Sequence, residues 1–96
     1  MLRDYLVMYD IRDPKRLTKV FKTMKGFGRH LQYSVFRCEM PEVDLVRMKI
    51  KLAEIVDHRK DQILMFDLGP MSNEEARLVD FLGVAPPKAD TAAVVV

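Results

Sequence analysis

The stretch that decides the fold is Tyr5-Leu6-Val7-Met8-Tyr9-Asp10, followed after two residues by Asp13-Pro14-Lys15-Arg16. Five apolar or aromatic residues in a row, rich in β-formers, predict a strand over residues 4–11 that lies centrally in a sheet and is covered on at least one face. Asp13 is placed to cap a helix and Pro14 suits its first position. From there Leu17, Val20, Phe21, Met24 and Phe27 keep the spacing of one buried helical stripe, while Lys15, Arg16, Lys19, Lys22 and Lys25 take the remaining surface. The spacing predicts a helix over 14–27, ended by Gly26 or Gly28.

Outward from this junction, residues 30–38 alternate. Leu31, Tyr33, Val35 and Arg37 share one face, and Gln32, Ser34, Phe36 and Cys38 share the other. Neither face is wholly apolar, which leaves open a bent strand, a short hairpin or a place near a dimer seam. Pro41 and Glu42 open a second helix to about Val56, with Leu45, Met48, Leu52, Ile55 and Val56 inward. Asp57-His58-Arg59-Lys60 reads as a loop, and Ile63-Leu64-Met65-Phe66 as a buried strand stopped by Gly69-Pro70. Residues 71–83 support two readings: a short helix with a Ser72/Glu75 capping box, or an edge strand over Leu78–Leu82. From Val84 the prolines and alanines predict a loose tail, whose terminal Val94-Val95-Val96 can add to a partner's sheet edge or fray. The order strand, helix, strand region, helix, strand predicts an α+β two-layer sandwich of the ferredoxin-like kind with an antiparallel sheet. Residues 1–83 form its single domain, followed by a tail over 84–96.

Composition narrows the functional classes. Ninety-six residues allow one domain, and folding a chain this short buries only about 60–70% of its unfolded surface, so dimerisation is a natural way to add core. No apolar run approaches the ~20 residues of a membrane helix. A single cysteine, Cys38, excludes an intrachain disulfide. Together with an N-terminus that lacks a signal-peptide pattern, this leads to the expectation of a reducing cytoplasm. Net charge is only +2, but residues 1–40 carry nine Lys/Arg against four Asp/Glu, and residues 41–96 seven against ten. That asymmetry fits one half facing a polyanion.

Asp10 ends the first strand. Magnesium takes oxygen ligands, keeps several waters and needs only one or two protein carboxylates, so one acid per chain suffices if two chains bring their Asp10 residues together. The bland alternative is a carboxylate that caps the next turn. Lys and Arg on the helix face hold phosphates without reading sequence, and Arg16, Lys19 and Lys15 lie nearest the Asp10 end. Arg29 and His30 precede the second strand, where His30 can carry a proton or donate to phosphate; a lone histidine more often makes a structural hydrogen bond. His58 sits in a charged loop. The two histidines and Cys38 lack zinc-like spacing. Ser34 has no nucleophile-elbow surroundings, and Gly26-Phe27-Gly28 follows a helix rather than opening one, which excludes a P-loop. Tyr33 and Phe36 can stack on bases, with core or dimer packing as the competing role.

Taken together, Tyr9-Asp10-Ile11 closing the strand, Arg16 and Lys19 on the next helix, and Gln32-Tyr33-Ser34-Val35-Phe36 resemble the CRISPR-associated Cas-two family. Asp61 before a strand, Leu68-Gly69 and Leu82-Gly83 extend the likeness to roughly residues 4–83. The resemblance implies a ferredoxin-like homodimer with C-terminal strands exchanged or added across the interface, which makes residues 78–83 a strand. It implies that the two Asp10 carboxylates share a divalent cation, magnesium or manganese, that activates water against a phosphodiester. It also implies that Arg16 and Lys19 hold backbone phosphates of RNA or DNA, and that Tyr9 and Phe36 pack near the site. Two positions depart from the family pattern: His30 stands two residues before the glutamine, where arginine is usual, and Arg37 follows Phe36, where glutamate is frequent. The family carries two readings of different class. One is a metal-dependent endonuclease; the other is a scaffold that bridges two Cas-one integrase dimers during spacer acquisition. A toxin-type ribonuclease on the same fold is a third, which a neighbouring integrase gene would exclude.

Overall fold

The computed structural model describes residues 1–71 and 79–87. Strand β1 (Arg3–Asp10) leads to helix α1 (Pro14–Lys25). A hairpin of β2 (Arg29–Gln32) and β3 (Val35–Met40) follows, then helix α2 (Glu42–Ile55) and strand β4 (Gln62–Pro70). The sheet order is β2-β3-β1-β4, with β1 antiparallel to both β3 and β4 and β2 antiparallel to β3. This is the α+β ferredoxin-like sandwich predicted above: one four-stranded antiparallel sheet with two helices. β1 takes the central place that its apolar run requires.

The core lies between sheet and helices. From β1, Tyr5, Val7 and Tyr9 point into it; from β3, Phe36, Cys38 and Met40; from α1, Val20 and Met24; and from α2, Met48 and Leu52. Burial pushes the Cys38 thiol up to about 12, so this cysteine is an inert packing group. Asp13 caps α1 by accepting from the Lys15 and Arg16 backbone N–H groups at 3.0 Å each, and Gly26 closes the helix. Gly28 has a different job. A Cβ placed there would lie 2.5 Å from both the Arg37 carbonyl oxygen and Cys38 Sγ, so glycine is what lets this segment run against β3.

Of the readings left open for residues 30–38 the structure takes the hairpin, whose two-residue turn, Tyr33-Ser34, lifts Tyr33 out of the sheet at 92% exposure. Three expectations change. Leu17, expected in the buried stripe, is 40% exposed because it sits at the site end of α1, beyond the edge of the core. β4 takes in Gly69 and Pro70 as its last residues instead of ending before them. As an edge strand it tolerates a proline, and Gly69, at φ +102°, takes up the register shift opposite Asp4/Tyr5. Nor is β4 buried on both sides, since Leu64, Phe66 and Leu68 lie on the face away from the helices and stay 40–46% exposed. That same face carries a buried ion pair, Arg37 to Asp4, at 3.1 and 2.8 Å.

Of residues 78–83, which the resemblance makes a strand, the described ones, 79–83, form none. Instead residues 79–87 share a groove of about 750 Å³ with Leu6, Leu31, Val35 and Leu68, and Arg29 Nη1 donates to the Pro87 carbonyl at 3.3 Å. The Ser72/Glu75 capping box and Val94-Val95-Val96 lie outside the described residues. No helix among the described residues is long and apolar enough to cross a membrane.

Candidate functional site

Asp10 ends the central strand with its side chain 68% exposed; its nearest cation is Arg12 Nη2 at 4.0 Å. It caps no turn. That work falls to its neighbours, Asp13 at α1 and Asp61 at the start of β4. The Asp61 side chain is wholly enclosed. It accepts from the Arg12 backbone N–H at 2.9 Å, from Arg16 Nε and Nη2 at 2.7 and 3.2 Å, and from the Asp57 N–H at 2.8 Å. One carboxylate thus ties together the loop after β1, the first turn of α1 and the loop before β4. The Arg16 guanidinium, then the Arg12 and Asp57 N–H groups, hold its carboxyl well below the usual carboxylate range. The Arg16 hydrogen bond to Asp61 in turn raises the guanidinium above its ordinary value. Asp13 is likewise lowered, chiefly by the Arg16 N–H it accepts.

Beside Asp10 opens a cleft of about 510 Å³, walled by Tyr9, Ile11, Leu17, Phe21 and the Tyr33-Ser34 turn. The turn is fastened to the strand end: the Tyr9 N–H donates to the Ser34 carbonyl at 3.1 Å. Behind it an aromatic cluster forms. Tyr9 stacks on Phe36 with centroids 6.2 Å apart, and the His30 ring lies 5.0 Å from both Phe36 and Phe21. Tyr9 is 6% exposed, and burial raises its hydroxyl above the ordinary phenol value.

The candidate residues therefore divide. Asp10 faces solvent at the cleft, Tyr9 lines its wall, and Phe36 packs behind Tyr9. Lys19 is exposed on α1 one turn beyond Arg16. Arg16 is drawn into the pair with Asp61. Arg29 pairs with Glu39 at 3.0 Å and reaches the 79–87 segment. His30 Nε2 donates to the Tyr33 carbonyl at 2.6 Å, the structural hydrogen bond named above as the competing reading. Sequence reading noticed Asp61 only as part of a resemblance. Its role depends on a partner forty-five residues away, and neither residue's local pattern marks the pairing. Among the described residues no group of three or more His, Cys, Asp or Glu could hold a metal ion. At this strand end a single chain offers a cation one exposed carboxylate, that of Asp10.

Residues 3–76 match the model of the family described as CRISPR associated protein Cas2. The CRISPR-associated endoribonuclease Cas2 of Geobacter sulfurreducens is 43% identical over 74 residues, covering 77% of this chain and 78% of that protein. The Rhodospirillum rubrum protein named CRISPR-associated endoribonuclease Cas2 1 is 44% identical over 81 residues, covering 84% and 78%. Among solved structures, a hypothetical protein from Thermus thermophilus superposes with a TM-score of 0.76 at 30% identity, covering 93% of this chain and 99% of that one. Streptococcus pyogenes Cas2 does so with a TM-score of 0.68 at 32% identity, covering 83% and 99%. Fold and sequence agree: the chain belongs to the Cas2 family of CRISPR-associated proteins.

Proposed function

We propose that this chain is a homodimeric, divalent-metal-dependent endonuclease of CRISPR adaptation that cuts RNA, with Asp10 of each copy at the metal. The observation that carries this reading is the state of Asp10. It is an exposed carboxylate at the end of the central strand, with only the exposed Arg12 near it at 4.0 Å, while Asp13 does the capping and Asp61 the close ion pairing around it. The names of its relatives support RNA as substrate.

The donor set fits a hard cation such as Mg²⁺ or Mn²⁺. Asp10 offers carboxylate oxygen, and with one such acid per chain a second copy completes the site. Bound there, the cation would lower the pKa of a coordinated water and offset charge on the phosphoryl oxygens. The chain's own residues do the rest. Asp61 holds the strand end and the first turn of α1 in fixed relation, and Tyr9, with Phe36 packed behind it, makes a stiff wall. Lys19 sits where a phosphate backbone crossing α1 would pass. A second copy has a surface to meet, since Leu64, Phe66 and Leu68 and the groove under residues 79–87 leave apolar area open on one face of the sheet.

The scaffold reading, in which the dimer bridges Cas-one integrase dimers on duplex DNA, is favoured by a different observation. Lys15, Lys19, Lys22 and Lys25 of α1 have no ion-pair partner among the described residues, and phosphate binding needs them but not Asp10. The test is cleavage of labelled RNA and duplex DNA, with and without magnesium, by wild type and Asp10→Ala, with binding measured on the same samples. The nuclease reading expects magnesium-dependent RNA cutting that disappears in Asp10→Ala while binding persists. Salt-sensitive duplex binding without cutting by either protein would replace it with the scaffold. Cutting that survives Asp10→Ala would remove Asp10 from the site.

A further inference from the structure

We propose that Tyr33 is a base-stacking residue that captures one unpaired nucleobase in the cleft beside Asp10; this rests on the nuclease reading above. Three observations meet at this residue. Tyr33 is 92% exposed, although a tyrosine ring carries a large apolar surface that folding normally hides. Its backbone stands at φ +33°, the only non-glycine residue with positive φ among those described, in a left-handed conformation that glycine or asparagine adopts at lower cost. A side chain kept on view in a backbone state that disfavours it is a candidate for function rather than folding. Lastly, the turn is braced from both sides, by His30 Nε2 on the Tyr33 carbonyl at 2.6 Å and by the Tyr9 N–H on the Ser34 carbonyl at 3.1 Å. The ring therefore projects from a fixed base rather than from a loose loop.

The cleft that Tyr33 borders suits a flat aromatic ligand. Its volume is about 510 Å³, and Ile11, Leu17 and Phe21 make its walls apolar, with Asp10 at one end. Leu17 is 40% exposed there, apolar surface that a bound base would cover. A base can lie on a protein ring only if it has left its own stack and pair, which favours a single strand over a duplex. The strand's phosphates would then run past Asp10 and the lysines of α1 while Tyr33 sets which nucleotide sits at the carboxylate.

The test uses a short single-stranded ribo-oligonucleotide carrying one 2-aminopurine, whose fluorescence is quenched on stacking, titrated with the full chain in metal-free buffer. The variants are Tyr33→Phe and Tyr33→Asn. Loss of one base–ring contact should weaken binding roughly 5- to 150-fold. Tyr33→Asn is expected to lose affinity in that range and lose the quench, with no fall in thermal stability because asparagine suits the turn. Tyr33→Phe should keep both. In magnesium, Tyr33→Asn should raise KM for RNA more than it lowers kcat. Equal binding and quenching by wild type and Tyr33→Asn would overturn the proposal while leaving the nuclease reading intact. Tyr33-dependent quenching by a wild type that never cuts RNA would support the stacking role and sink the nuclease reading instead. Binding of duplex DNA alone, indifferent to Tyr33, would overturn the proposal and the choice of RNA together.

Discussion

The ion pair between Asp4 and Arg37 should prove dispensable as a pair and indispensable one half at a time. It joins β1 to β3 diagonally on the face of the sheet away from the helices, with Asp4 0% and Arg37 5% exposed. Arg37 donates through Nε at 3.1 Å and Nη2 at 2.8 Å to the two carboxylate oxygens. At 2.8 Å and an effective dielectric near 20 the Coulomb attraction is about 6 kcal/mol. Withdrawing the two ions from water costs several kcal/mol each, so the net worth of the pair is close to zero. Removing one partner is another matter, because the survivor keeps its desolvation cost and loses the attraction. Arg37→Met or Asp4→Leu should each destabilise by about 3–5 kcal/mol, a fall in Tm on the order of 12–40 °C for a domain of this size. Asp4→Leu with Arg37→Met should return to within about 1 kcal/mol of wild type or exceed it. Urea unfolding followed by circular dichroism, at one protein concentration for all four proteins, supplies the cycle. Single variants costing under about 1 kcal/mol would show that water reaches the pair and refute the reasoning. A double variant as unstable as the singles would show that the charges themselves hold the strands in register.

Asp61 should make stability acid-sensitive in a defined window. Its folded carboxyl is held below the ordinary value of 3.8, so its contribution is complete above about pH 4 and is lost as pH falls from there towards the folded pKa. The stability gap between wild type and Asp61→Asn should therefore be widest near neutrality and narrow below pH 4. A gap that stays constant from pH 7 to pH 3 would contradict the assignment. Gly28→Ala puts a methyl 2.5 Å from the backbone oxygen of Arg37 and from Cys38 Sγ, and should destabilise by about 1–3 kcal/mol. A Tm within 1 °C of wild type would show that the segment moves aside freely.

The fold was legible where one local pattern determined one element. The Asp13-Pro14 cap and the Val20/Met24 spacing located α1, and the unbroken apolar run placed β1 at the centre of the sheet. Legibility failed where the deciding partner was distant. The mixed faces of residues 30–38 left a hairpin open, but nothing near residue 33 fixes the turn there, because Tyr and Ser are ordinary strand or loop residues and the left-handed state of Tyr33 is imposed by pairing on both sides. The extent of β4 was misread because Gly69-Pro70 breaks a central strand but is tolerated on an edge, and which strand lies on the edge is a property of the whole sheet. At the site, Asp10 could be singled out by its position, whereas Asp61 could not.

The same distance effect explains why counting cations misjudged the basic half of the chain. All five arginines among residues 1–40 lie within ion-pair range of a carboxylate: Arg3 with Asp67, Arg12 with Asp10, Arg16 with Asp61, Arg29 with Glu39 and Arg37 with Asp4. The four lysines of α1 have no such partner among the described residues. This division follows from the side chains. A guanidinium offers a planar fork that matches a carboxylate through two hydrogen bonds, and it sheds water more readily than an ammonium, so arginines are drawn into the fixed framework. Lysines keep a hydrated point charge on a mobile stem, which suits contacts to a phosphate backbone whose position varies along the strand. The positive surface available to a nucleic acid is therefore smaller than the sequence count implies and consists chiefly of lysine on one face of α1. Arg16, paired with Asp61, holds the loops at the strand end where Asp10 lies, and Arg29, paired with Glu39, reaches the 79–87 segment in a separate groove, so both guanidiniums belong to the framework rather than to that lysine surface.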